Sequence, residues 1–364
     1  MVAGWDVDPA VLGTFRSLEP VGGLLHLADR IDVDTAPNEH ELTLDVDLLH
    51  VDATSFRDIA RGCGDDPDRM AAEIMAVVAE RGALRNPRTG SGGVARGRVS
   101  YVGASSRHRV AAGDLVVPLV SLIALPLRLD EAGPVDPRSP EVPVRGRAVV
   151  TGRMPVLVVP DDLADAALTA ADVYPVASYA RERARPGDHV VVLGAGNAGL
   201  LGAVAAAEAV ALTDVAVPDD GVPDVSVARP TGAVGRVSVV DVDPRALERV
   251  VRAVPGVLTV LADARDAVTV ASALRDAGVP PADLTLACTT VPGCEGTALL
   301  VTSRTGTVLF FSTATSFAGA SLGSDPLGTA ARLELSNGVT PDHGRYTLEL
   351  LRRHEILRTA FAGS

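Results

Sequence analysis

Gly194-Ala195-Gly196-Asn197-Ala198-Gly199 joins two different kinds of sequence pattern. Before it runs His189-Val190-Val191-Val192-Leu193, short and apolar; after it, Leu200 to Val210 is rich in alanine. A lone Gly-x-Gly-x-x-Gly match is a weak signal, but between a strand and a helix it reads as a dinucleotide-binding turn. A pyrophosphate needs dense hydrogen-bond donors and close backbone approach. Gly194 permits the tight turn out of the strand, Gly196 has no Cβ to block the phosphates, and Gly199 lets the helix pack on the sheet. Ala195, Asn197 and Ala198 complete the cradle, where the start of the helix offers free N–H groups to the anion. The competing reading is a strand-to-helix turn that holds no ligand.

Residues on either side of the turn alternate between strand and helix. Strands are expected at 189–193, 236–241, 258–261, 284–288 and 307–312, with helices over 244–254, 267–277 and 294–303. Near-continuous apolar strands alternating with helices imply a parallel sheet covered on both faces, a Rossmann-type doubly wound α/β domain over 151–313. Thr213–Ala233, rich in Pro, Gly, Asp and Val, reads as an inserted surface loop. The run 342–361 has apolar residues at helical spacing and reads as one packing helix within a C-terminal segment, 314–364.

An acid at the end of the second strand binds the adenosine ribose hydroxyls and disfavours a 2′-phosphate. Asp214 has the usual spacing of ~20 residues from the turn but no strand before it. Asp241 ends a clear apolar strand, and excising 213–233 restores a near-standard distance. Asp241 is therefore assigned to the cofactor, with Asp243 second and NAD favoured over NADP; capping of the helix that starts at Pro244 is the competing role. Arg245 and Arg249 keep NADP open. Thr289 and Val291, past the strand at 284–288, are expected beside the cofactor.

The first 150 residues read as β-rich. Residues 41–51 alternate apolar and polar, and 96–102 and 114–122 are further strands. A helix is expected over 68–81, stopped by Gly82, and the Pro- and charge-rich stretch 130–147 reads as a connection.

Composition narrows the chemistry. The 364 residues allow two domains and a large core. All 33 Lys-or-Arg positions are arginine, which excludes a Schiff-base lysine, a Tyr-x-x-x-Lys relay and a P-loop lysine. A net charge of −13 argues against a nucleic-acid partner. Cys63, Cys288 and Cys294 show no zinc spacing, so no metal is expected, and their sparse odd count fits a reducing, cytoplasmic setting. No membrane span is expected, and the start Met1-Val-Ala-Gly-Trp-Asp does not read as a signal peptide.

A β-rich half followed by a dinucleotide domain resembles the medium-chain dehydrogenases, whose GroES-like catalytic domain is completed by the C-terminal end. Gly92 to Gly103, followed by Gly113-Asp114-Leu-Val-Val, is similar to that family's Gly-His-Glu and Gly-Asp-x-Val segments. Here Gly93 stands at the metal-binding His position and Val94 at the Glu position, which argues against a zinc enzyme. Four blocks carry a narrower resemblance: 85–93, 119–131, 311–317 and 337–343. They resemble the L-erythro-3,5-diaminohexanoate dehydrogenase family, with the helix Thr347–Phe361 similar as well. The resemblance implies NAD-dependent oxidative deamination of a diamino acid in lysine degradation; apart from it, a homodimer paired through the sheet edges or helices of the dinucleotide domain is expected. A zinc-free alkene or quinone reductase using NADPH, and a non-catalytic dinucleotide-binding protein, stay open beside it.

An amine oxidation by hydride transfer needs a base for the ammonium and charged groups for the rest of the substrate. Asp130, with Glu131 beside it, and Glu80 are candidate bases or ammonium partners; surface turn and helix-end roles compete. Arg85 and Arg128 are candidates for the substrate carboxylate, since guanidinium matches it bidentately. Asn86, Thr89 and Ser91 are candidate pocket residues, as is Thr54 with Ser55, where helix capping competes. Ser312 and Thr313 follow the strand at 307–312, where carboxyl ends face a ligand crevice.

Overall fold

The computed structural model describes residues 7–211, 235–312, 314–335 and 341–362. The inserted loop expected at 213–233 and the candidate Thr313 lie outside the described residues. The chain divides into two compact units, the first comprising Met1–Asp172, Val339–Leu348 and Arg358–Ser364, the second Val173–Gly338 and Glu349–Leu357.

The first unit contains the strands β1 (Ser17–Glu19), β2 (Arg30–Ile31), β3 (Leu42–Val51), β4 (Gly93–Val102), β5 (Leu115–Pro118), β6 (Leu127–Ala132), β7 (Glu141–Val150) and β8 (Val156–Val158). Its helices are α1 (Pro9–Leu12), α2 (Ala53–Cys63), α3 (Pro67–Arg81) and α4 (Ala164–Val173), whose last residue falls in the second unit. Six strands form an antiparallel sheet in the order β6-β7-β3-β4-β5-β8. Helix α3 shows the local logic. Asp66 caps its N-terminus by accepting the amides of Asp68 and Arg69, Pro67 sits at N1, and Gly82 ends it in the left-handed region at φ 70°. Met70, Ile74 and Val78 recur every fourth residue and are buried in the core of this unit with Leu42, Leu44 and Leu127.

Residues 141–150 are a strand in the interior of this sheet, not a connection. Val142, Ala148 and Val150 are fully buried there. Pro143 is tolerated because it sits opposite Leu48 where the β3–β7 register shifts, as at a bulge, so the missing N–H breaks no regular ladder.

The second unit contains β9 (His189–Leu193), β10 (Arg236–Asp241), β11 (Leu258–Leu261), β12 (Ala282–Ala287), β13 (Thr302–Phe310) and β14 (Arg332–Leu335). They form one sheet in the order β11-β10-β9-β12-β13-β14, every pair parallel. This is the doubly wound order, with the chain reversing direction across the sheet after β11 and β9 at the switch point. All five residues of β9 are buried, as a parallel strand covered on both faces requires. Helices α5 (Pro175–Arg183), α6 (Asn197–Ala211), α7 (Pro244–Ala253), α8 (Ala267–Asp276), α9 (Glu295–Val301) and α10 (Phe317–Leu327) accompany it.

The C-terminal run is two helices rather than one, α11 (Pro341–Arg353) and α12 (Glu355–Ala362). His354 separates them, and its Nε2 meets Glu208 Oε1 on α6 at 2.7 Å while Arg353 Nη2 donates to Glu208 Oε2 at 2.7 Å. Residues 349–357 thereby fasten to the second unit, while 339–348 and 358–364 belong to the first.

Candidate active site

The glycine turn leaves β9 at the centre of the parallel sheet. Gly194 has φ 94°, and a Cβ there would meet the backbone of Cys288 and Thr289 at 3.1 Å. A Cβ on Gly199 would lie 1.7 Å from the Gly194 carbonyl oxygen, so the helix can approach its own strand only as glycine. A Cβ on Gly196 would meet nothing within 4 Å. Open space at Gly196 above the start of α6 is the cradle a pyrophosphate requires. Helix α6 begins at Asn197, and the N–H groups of its first turn, with those of Ala198 and Gly199, have no intrahelical partner by construction.

Asp241 ends β10 beside the turn. Its Oδ2 accepts the amide of Ala195 at 2.6 Å, and its Oδ1 accepts the amide of Asp243 at 2.8 Å. The cap of α7 is Asp243, whose side chain accepts from the amide of Arg245. The two acids therefore divide the work: Asp243 starts the helix, and Asp241 faces the glycine turn.

The other strand ends of this sheet carry Thr289, Val291 and Ser312. Cys288 N donates to Leu193 O at 2.8 Å, which fixes the end of β12 beside the turn. Thr289 is partly exposed and Val291 is 44% exposed. Ser312 Oγ accepts the amide of Ala314 at 3.1 Å, and the buried Glu295 accepts the amide of Ser316 at 2.6 Å, holding the loop after β13 in shape. The Cys288 thiol is inert packing: burial pushes it up to about 12.

In the first unit, the start of α2 gathers several of the sequence candidates. Asp52 caps the helix, accepting the amides of Thr54 and Ser55 at 3.1 and 3.0 Å. Ser55 Oγ lies 2.7 Å from Thr89 Oγ1 and 2.9 Å from Ser91 Oγ. Asn86, 2% exposed, donates from Nδ2 to Asp58 at 2.8 Å, and its Oδ1 accepts the amide of Arg88 at 2.8 Å. Burial pushes the Asp58 carboxyl up, but hydrogen bonds from Asn86 and Arg88 and the Arg88 and Arg61 charges together hold it below its usual range. Ser55, Asn86, Thr89 and Ser91 thus form one polar knot, tied to the loop 85–93, while Thr54 joins the Asp52 cap through its amide.

Asp130, Glu80 and Arg85 take no part in these hydrogen bonds. Asp130 lies on β6, the edge strand, between Arg128 and Arg145, each at 3.5 Å. Glu80 is exposed near the end of α3, and Arg85 pairs with Asp29 at 3.9 Å.

A second group near the start of α2 carries no signal that sequence reading used. His50 on β3 is 4% exposed, and its Nδ1 is 3.4 Å from Thr169 Oγ1. Thr169 donates to Glu141 Oε1 at 3.3 Å, and Glu141 stands opposite His50 in the β3–β7 register. Asp172 follows Thr169 one helical turn along α4, and Asp52 follows His50 on the same side of its strand direction. Burial pushes Asp172 up to about 7, with the Asp52 charge adding to the rise. Burial holds His50 down at about 4 against the pull of Asp52, so its ring is neutral near pH 7. Gly93 closes the group from β4: at φ 105°, a Cβ there would strike the His50 carbonyl oxygen at 2.0 Å and the Asp52 amide nitrogen at 2.7 Å. The sequence signal available for this group was Asp172 itself, a charge inside an Ala-rich apolar run. Among the described residues, no group of three or more His, Cys, Asp or Glu is arranged to hold a metal ion, and no helix is long and apolar enough to cross a membrane.

Residues 15–160 match the family described as the L-erythro-3,5-diaminohexanoate dehydrogenase N-terminal domain. The chain is 33% identical over 354 residues to L-erythro-3,5-diaminohexanoate dehydrogenase of Fusobacterium nucleatum, covering 96% of each protein. It is 32% identical to the enzyme of that name from Acetoanaerobium sticklandii, covering 96% of this chain and 97% of the relative. Among solved structures, a mycobacterial protein complexed with NADPH is similar at TM-score 0.54 and 15% identity, over 88% of this chain and 82% of that one. An alcohol dehydrogenase of Thermotoga maritima is similar at TM-score 0.51 and 16% identity, over 90% and 86%. These solved structures establish the fold, a Rossmann unit joined to a GroES-like one as in medium-chain dehydrogenases. The full-length relatives establish more: this dehydrogenase belongs to the L-erythro-3,5-diaminohexanoate dehydrogenase family.

Proposed function

We propose that the protein oxidises the amine-bearing carbon 3 of L-erythro-3,5-diaminohexanoate with NAD, giving 5-amino-3-oxohexanoate, ammonia and NADH, a step of lysine degradation. The substrate rests on the two full-length relatives that carry its name. The coenzyme rests on one observation: the Asp241 carboxylate held at the glycine turn by the Ala195 amide. An acid there accepts the ribose hydroxyls and repels a 2′-phosphate.

Gly194, Ala195, Gly196, Asn197, Ala198 and Gly199 would hold the pyrophosphate, Asp241 the ribose, and Thr289 and Val291 would flank the dinucleotide from the end of β12. The bound nicotinamide supplies the hydride acceptor. The rest of the chemistry falls to the chain and to water. The ammonium must lose a proton before its lone pair can expel the hydride, and water must then add to the resulting iminium and release ammonia. The polar knot of Ser55, Asn86, Thr89 and Ser91 is suited to hydrogen-bonding substrate, and Thr54, Ser312 and Thr313 keep the substrate role expected from the sequence. Arg85 is assigned to the substrate carboxylate, and Asp130 and Glu80 to its cationic end. A cytoplasmic homodimer completes this reading, and light scattering checks the dimer.

Formation of NADH on mixing the protein with NAD and 3,5-diaminohexanoate tests it. NADP should be poorer by about tenfold or more. Fluorescence quenching of NADH without any turnover would instead support a binding protein, and NADPH-dependent reduction of an enone would support a reductase.

A further inference from the structure

We propose that Asp172 and Asp52 form the receptor for the substrate ammonium, with Asp172 as the proton acceptor. This inference rests on the proposed oxidative deamination and gives its missing base. Asp52 spends Oδ1 on capping α2, but its Oδ2 is buried and has no hydrogen-bond partner. A buried carboxylate oxygen without a partner costs about 1–3 kcal/mol or more, so Asp52 Oδ2 calls for a hydrogen-bond donor from outside the chain. Thr169 Oγ1 lies 3.4 Å from His50 Nδ1, which brings α4, with Asp172 one turn further on, to the end of β3, two residues before Asp52.

The surroundings specify the sign and type of that donor. Around the His50–Asp52 end of β3 stand Thr169, which meets His50 and Glu141, and Glu141 itself, on which the charges of Arg96 and Asp165 act. His50 is buried and neutral near pH 7. Arg96 is already engaged, bound to Asp47 at 3.0 Å and to the Ala164 carbonyl at 3.1 Å. The excess is therefore acidic, and a cation that donates several hydrogen bonds satisfies it. A primary ammonium has that charge and three donors. It also supplies what the reaction requires at this point. The proton step balances simply: R–NH₃⁺ and the Asp172 carboxylate become R–NH₂ and the neutral Asp172 acid, with no change at carbon and no oxidant. Neither Asp130 nor Glu80 is enclosed in this way: Asp130 is held between two arginines and Glu80 is exposed.

Carbon-13 NMR of the full-length, coenzyme-free protein labelled at aspartate carboxyls tests the receptor, with Asp172→Asn used to assign the resonance. Asp172 should titrate near neutrality, and saturating 3,5-diaminohexanoate should lower its midpoint by about one unit or more. Turnover is measured in parallel. Asp172→Asn should lower kcat/KM by about 100-fold or more while NADH affinity stays within about twofold, and Asp52→Asn should raise KM more than it lowers kcat. An unmoved midpoint in an enzyme that oxidises diaminohexanoate overturns the receptor and leaves the activity standing. A moved midpoint without turnover supports the receptor and overturns the proposed activity. The titration is read on the native protein, and if Asp172→Asn fails to fold, Asp172→Glu assigns the resonance instead, because it also removes the labelled aspartate signal.

Discussion

The Asp241 carboxylate and the Ala195 amide are joined across the parallel sheet by a hydrogen bond of 2.6 Å. That bond positions the acid of β10 against the glycine turn of β9. Asp241→Ala removes a charge-assisted bond and the group that repels a 2′-phosphate. NAD affinity should fall by about 10- to 100-fold, the scale of a lost hydrogen bond to a charged group. NADP affinity should fall less or rise, so the ratio of the two is the decisive quantity in a fluorescence titration. An unchanged ratio would remove Asp241 from the ribose site.

Two neighbouring glycines should behave differently. Gly199→Ala puts a methyl 1.7 Å from the Gly194 carbonyl oxygen and should destabilise the protein by about 1–3 kcal/mol or more. Gly196→Ala meets nothing within 4 Å and should change stability by no more than about 0.5 kcal/mol. Its methyl occupies the space assigned to the pyrophosphate, so dinucleotide affinity should drop sharply instead. Thermal melts and coenzyme titrations of the two variants separate fold from ligand; a large Tm loss for Gly196→Ala would contradict the assignment.

The turn was legible because its chemistry is contiguous: three glycines, a strand before and a helix after. The alternating strands over 189–310 were legible for the same reason, since each carries its own apolar run. Strand β7 was not, because Pro143 and the charges around it obey the local bulge and the exposed face rather than the buried one. The break at His354 was also hidden, because it depends on Glu208, far away in the chain. The Asp52–Asp172 pair is the extreme case. Asp172 stands out only as a charge in an apolar run and Asp52 only as a helix cap, and it is the contact of Thr169 with His50 that brings their segments together. Asn86, Thr89 and Ser91 were legible as a polar loop, but not as partners of Ser55 and Asp58.

Asp172 also predicts a pH dependence of stability. Its carboxyl is raised from 3.8 to about 7 in the folded state, so the folded protein holds a proton that the unfolded chain releases. The stability this contributes is full below the unfolded value and is lost as pH rises through about 7. Asp172→Asn should therefore be more stable than the native protein at about pH 8, by about 1–3 kcal/mol, with the difference vanishing near pH 4. Denaturant melts at several pH values read this directly. The same variant should lose activity, so stability and turnover move in opposite directions.

The polar knot makes the opposite prediction. Asp58 is lowered in the folded state, so its contribution is present above its ordinary carboxylate range and lost as pH falls through the folded value. Asp58→Asn should lower stability at neutral pH and flatten the acid limb, with the difference from the native protein vanishing as pH falls through the folded value. Ser55→Ala removes the hydroxyl that Thr89 and Ser91 share and should cost about 1–2 kcal/mol at neutral pH.

The central claim concerns a hydride leaving a carbon that bears nitrogen. Its most direct measurement is the stoichiometry of the reaction of 3,5-diaminohexanoate with NAD, following NADH and free ammonia in one sample. The account predicts equal amounts of both, with NADP poorly used. Ammonia without NADH, or reduced coenzyme without ammonia, would contradict it.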